Sequence, residues 1–134
     1  METFARIREF VEQEFKVVYD EKFVLGVEIE TENGRHQSVF LAELKDQDDH
    51  RHLRVETTVA PLAEHDPTKL LRINLMLRAG YLAVGDLDGV PFIKLCRNSP
   101  YRFLTEDMVT SDVHRIGRLG DKLEQMLVDG GDWF

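Results

Sequence analysis

The chain has 134 residues, 43% of them hydrophobic and 31% charged, with a formal net charge of −8 at pH 7. That is enough for one domain with its own core, and too apolar for a disordered chain. The acidic balance argues against nucleic acid and membrane surfaces as partners, because phosphates repel it. A single cysteine, Cys96, excludes an internal disulfide. The opening METFARIREFVEQEF has acids throughout and does not read as a signal peptide. No apolar run approaches the ~20 residues of a membrane span, so a cytoplasmic protein is expected.

In chain order, the first expected element is a helix over about residues 3–16, with Phe4, Ile7, Val11 and Phe15 as its apolar stripe. The period then changes to two. In KFVLGVEIETE, Phe23, Leu25, Val27 and Ile29 share one face of a strand. Asn33-Gly34 is a hairpin signal, since both residues accept positive φ. A return strand over Gln37 to Lys45 sets Phe40, Ala42 and Leu44 against Val39, Leu41 and Glu43. After the polar turn Asp46 to His50, a third strand carries Leu53, Val55, Thr57 and Val59 on one face. Short turns between these strands predict an antiparallel meander.

The stretch Asp66 to Gly80 predicts a central helix. Asp66 can cap it, Pro67 suits its first position, and Gly80 can take the left-handed conformation that stops it. Leu70, Leu71, Ile73, Leu75, Met76 and Leu77 leave little polar circumference, so burial on more than one side is expected. Asn74 lies among them, and its amide needs main-chain partners in the loop or strand that follows. Tyr81–Val84 and Val90–Cys96 form a hairpin about Asp88-Gly89, and Ser99-Pro100 interrupts the pattern. A last helix starts near Thr105 and runs to about Val128. Within it Gly117 and Gly120 signal a kink or a close approach; Gly130-Gly131 ends it before the apolar tip Trp133-Phe134. The resulting fold class is α+β, one domain over 1–134, ordered α-β-β-β-α-β-β-α, with an antiparallel sheet flanked by helices.

Chemistry is sparse. Asp48, Asp49, His50 and His52 are the densest group of metal-ligand types, but no third and fourth ligand arrive at a known spacing, and a solvated turn is the plainer reading. Asp86 and Asp88 lack the rest of a calcium loop. Gly80, Gly85 and Gly89 make no phosphate cradle, and neither Ser38, Ser99 nor Ser111 sits in a nucleophile elbow. Cys96, with no His near it in sequence, reads as a structural thiol, and His36 and His114 have no evident partner. No catalytic, cofactor or metal residue is assigned, and no cofactor is expected. The weaker alternative is a small enzyme or metal-binding protein using the Asp48–His52 cluster. The apolar excess of the central helix predicts a homodimer, with Leu71, Leu75 and Met76 as interface residues.

The block LLRINLMLRAGYLAVGDLDGVPFIKLC, followed by RFLTEDMVTSDVHRIGRLGDKLEQML, resembles the second half of the type III secretion chaperone-like superfamily, in particular its YbjN-type branch. The shared features are Leu70-Leu71 and Asn74 on a helix, the Asp88-Gly89 turn, a helix start over Leu104 to Met108, and Gly120-Asp121 in the last helix. The resemblance implies a non-enzymatic, dimeric protein-binding module. True secretion chaperones hold an extended segment of a secreted effector, whereas YbjN-type proteins have proposed regulatory or stress roles.

Overall fold

Strict alternation buries Leu53, Val55, Thr57 and Val59, and the strand that carries them is at the middle of the sheet. The computed structural model describes residues 1–128, so the Gly130-Gly131 and Trp133-Phe134 expectations lie outside the described residues. Helix α1 spans Phe4–Glu14, and strands β1 (Lys16–Glu21), β2 (Val24–Glu30), β3 (His36–Lys45) and β4 (Arg51–Pro61) follow. Then come α2 (Pro67–Asn74), β5 (Tyr81–Leu87), β6 (Val90–Pro100) and α3 (Glu106–Val128). The six strands form one antiparallel sheet in the order β1-β2-β3-β4-β6-β5. The class is α+β, as expected, with one strand more than the sequence reading gave.

That extra strand is β1. Its Val17, Val18 and Tyr19 have strand-forming side chains, but the strand is mostly exposed and lacks the alternation that marks a half-buried one. It turns into β2 through Lys22 and Phe23, leaving Phe23 48% exposed rather than on the core face. The register shifts between Val17 and Tyr19, a bulge that leaves Val18 outside the pairing.

Cross-strand pairs carry the core across the sheet: Val27 opposite Val39, Leu41 opposite Val55, Thr57 opposite Leu95, and Leu82 opposite Leu95. Helix residues complete it, with Ile7 and Val11 from α1, Leu70 and Ile73 from α2, and Val109, Val113, Ile116 and Leu123 from α3. The helices therefore lie on one face of the sheet, two layers in all. The opposite face is mostly polar, with Arg54 bonded to Asn98, Glu56 near Lys94 and Glu28 between Lys16 and His36, and it also carries the Tyr19–Phe40 ring contact and the buried Cys96.

The helix that organises the fold is α3, which crosses β4, β3 and β6. Thr105 caps it by accepting from the Met108 N–H at 3.2 Å. A Cβ on Gly117 would overlap Ile29 Cδ1, and one on Gly120 would overlap Thr57 Cγ2. Close approach to side chains of the sheet, with the helix continuous through both positions, accounts for these glycines.

Three expectations about the Asp66–Gly80 helix fail. It ends at Asn74, where Leu75 and Met76 bond back three residues to Arg72 and Ile73 and tighten the last turn. Only Leu70 and Ile73 are buried, so the helix sits at the sheet margin beside β5. Gly80 does not cap it; the residue leads into β5, where a Cβ would lie 2.8 Å from the Cys96 carbonyl oxygen. Strand β6 runs past the expected Cys96, and Ser99-Pro100 is where it ends.

Candidate functional site

Helix α2 forms because Asp66 accepts from the Thr68 N–H at 3.0 Å and Pro67 pre-sets the first turn. It stops early because the chain must reverse to bring β5 alongside. Asn74 fixes that reversal. Its Oδ1 accepts from the Leu82 N–H at 2.6 Å, and its Nδ2 donates to the Leu82 carbonyl at 3.3 Å. The amide is half-buried and stands where a neighbouring strand would pair with β5, the edge of the sheet.

Since Leu82 turns its main-chain groups outward, the two-residue strand period turns those of Val84 and Asp86 outward too. No hydrogen bond to either pair occurs among the described residues. Beside them runs an apolar groove of about 180 Å³ lined by Leu70, Leu71, Leu82, Val84 and Ile93, with Pro67 at one end. Leu71 is 67% exposed, Leu75 83% and Met76 47%. The three residues assigned to an interface are thus surface residues, Leu71 on α2 and Leu75 and Met76 in the turn that follows it.

The Asp46–His52 turn has a different composition from the one the sequence reading weighed. The residues within ligand distance of one another are Asp46, Asp48 and His50, all exposed; Asp49 and His52 are not in the set. His50 and His52 do not share a strand face, because β4 begins at Arg51. Asp46 organises the turn by accepting from the Asp48 N–H at 2.8 Å and the His50 N–H at 3.0 Å, with His52 Nε2 at 3.0 Å. The His52 contact and then the His50 N–H hold its carboxyl at about 2, well below the usual carboxylate range. Asp46 is a turn-forming residue here, with its lone pairs already engaged.

Cys96 is buried, 3.7 Å from a Glu56 oxygen. Burial, followed by the Glu56 charge, pushes its thiol up to about 11, which keeps it protonated and poorly nucleophilic. Burial and then Glu43 also push Tyr101 up. Asp88 and Gly89, with φ of 50° and 80°, form the tight turn between β5 and β6.

The Gly120-Asp121 pair docks α3. Asp121 is buried and accepts from Arg35 Nη2 at 2.8 Å and Nε at 3.0 Å, from Thr31 Oγ1 at 3.0 Å and from Gln125. Burial raises its carboxyl, but the Arg35 and Thr31 hydrogen bonds outweigh that and its pKa is lowered. Beneath Gly120, Gln37 donates to Thr57 Oγ1 at 2.8 Å. More than two turns earlier on α3, Asp112 is raised by burial against the pull of Arg97, whose Nε lies 3.0 Å away without hydrogen-bond alignment.

No protein-family model and no curated protein matches the sequence. Among the described residues, no helix is long and apolar enough to cross a membrane.

Proposed function

We propose that the chain is a non-enzymatic protein-binding module whose α2–β5 face takes a second copy of the same chain. One observation carries this. Among the described residues, six of the ten exposed large apolar side chains, Leu71, Leu75, Met76, Val84, Leu87 and Val90, belong to one helix–hairpin unit at the sheet edge. Apolar surface beside open strand rungs is the kind that folded proteins cover. A two-fold axis at this edge sets the two β5 strands antiparallel, matching the outward groups of Val84 in one copy with those of Asp86 in the other. It also brings the Asp88-Gly89 turn of one copy to the Leu82 end of β5 in the other, where Asn74 closes α2.

The resemblance to the type III secretion chaperone-like superfamily supports the same reading, with the YbjN-type branch as the nearer relation and the cytoplasm as the compartment. A dedicated effector chaperone is the narrower reading, favoured by the open rungs of β5, which would accept an extended segment. A secretion apparatus and an effector encoded beside the gene distinguish it from a YbjN-type role.

Sedimentation equilibrium at micromolar concentration tests the dimer. The expected mass is about twice the chain's 15.5 kDa, falling to one chain in Leu75→Glu with the fold kept. A wild-type monomer refutes the proposal.

A further inference from the structure

The longest helix carries a second surface that the α2–β5 face does not explain. The exposed positions of α3 through its middle are Ser111, Arg115, Arg118 and Lys122, spaced 4, 3 and 4 along one stripe. Every charge on it is positive, and none of the three cations forms an ion pair among the described residues. That is unexpected in a chain with 25 acids against 17 Lys and Arg, where Arg6, Arg8, Arg35, Arg51 and Arg97 all face carboxylates. Helices with a merely solvated face mix the two signs at these spacings.

Between this stripe and the β2–β3 turn lies an open groove of about 540 Å³, walled by Thr31 and Glu32 on the turn side and by Arg115, Arg118 and Lys122 on the helix. Asp121 also reaches it, but its oxygens are taken by Arg35, Thr31 and Gln125. Glu32 is the one other acid in the wall, so the groove keeps an excess of positive charge. His114 lines the same groove with its ring 5.5 Å from that of Phe15, and its buried Nδ1 has no hydrogen-bond partner. Burial and then Arg118 lower its pKa, which favours the neutral ring and leaves the positive charge of the groove to the arginines and the lysine.

We propose that this groove binds a carboxylate-rich segment of a partner polypeptide. Arg115 to Lys122 spans about 10 Å of helix axis, and side chains on one face of an extended peptide recur about every 7 Å. Two or three carboxylates in a short segment therefore meet the three cations, with the arginine forks able to take a carboxylate through two N–H groups. Charge complementarity selects this ligand over a nucleic acid. The chain's overall −8 repels a polyanion that extends past the groove, while a segment no longer than the stripe stays within its positive field. The groove lies on the β2–β3 side of the sheet, away from edge strand β5, and does not depend on what covers α2.

Fluorescence anisotropy of the full chain with a labelled short peptide of alternating Glu and Ser tests this, against the same peptide with Gln for Glu. The expected result is saturable binding of the Glu peptide only, weakening as salt rises from roughly 50 to roughly 500 mM. Arg115→Gln with Arg118→Gln should weaken it by about tenfold or more, and Lys122→Gln by less, with melting temperatures unchanged because all three positions are exposed. Equal binding of both peptides, or binding that survives the double substitution, overturns the proposal. So does tighter binding of a single-stranded oligonucleotide of the same charge count.

Discussion

Replacing Asn74 with Leu separates the role of its amide from that of its bulk. The amide closes one strong and one long hydrogen bond to Leu82, at 2.6 and 3.3 Å, and Leu82 is only 7% exposed. Losing the pair leaves a main-chain N–H and C=O shielded from water, at about 1–3 kcal/mol for a fully unpaired group. Asn74 itself is half-buried, so water reaches part of the site and the new leucine regains some apolar contact. A net loss of about 1–2 kcal/mol follows. In urea titrations followed by circular dichroism, the midpoint should fall with an unchanged slope. Asn74→Asp keeps the stronger bond, as an acceptor for the Leu82 N–H, and should lose less than Leu does. An Asn74→Leu midpoint equal to wild type would refute the assignment of this amide as the lock between α2 and β5.

Gly120→Ala should destabilise by about 1–3 kcal/mol despite its better helix propensity, because the new methyl overlaps Thr57 Cγ2. Thr57→Ser removes that methyl and keeps the hydroxyl that Gln37 needs, so adding it should recover part of the loss; additive losses would contradict the contact. Asp121→Asn should cost about 1–3 kcal/mol at pH 7, moderated because the Arg35 side chain is 44% exposed. Its folded pKa is lowered, so its stabilisation is present above the ordinary carboxylate value and is lost as pH falls through about 4 and below. Melting curves of wild type and Asp121→Asn should therefore converge with acidification; a constant gap would rule out this linkage.

The sequence was legible where one physical signal dominated. Leu53 to Val59 alternate, and they lie in a half-buried strand. Asn33 and Gly34 both take positive φ, as a tight turn requires. Where burial and pattern parted, inference failed. The β1 strand is mostly exposed, so no alternation announced it, although Val17-Val18-Tyr19 carried a strand propensity that could have. Leu75 and Leu77 extended an apolar run that looked like more helix, but the chain had to turn for Asn74 to reach Leu82, and tertiary pairing overrode propensity. Asp46 was read as the start of its turn but not as the group that holds it, because a carboxylate that bonds its own backbone leaves no spacing signature. The stripe Arg115, Arg118 and Lys122 was visible as helical spacing without acids on the same face, and only the burial of Asp112 and Asp121 reveals it as unpaired.

Hydrogen exchange measured at two protein concentrations tests the central claim most directly. The outward amides of Val84 and Asp86 have no partner within the described part of one chain, so they should exchange quickly in dilute solution. As concentration rises into the dimeric range, protection should appear at Val84 and Asp86 and across Leu71 to Met76, and Leu75→Glu should abolish it. Protection that grows elsewhere, or at no site while the mass doubles, would contradict the assignment of the α2–β5 face.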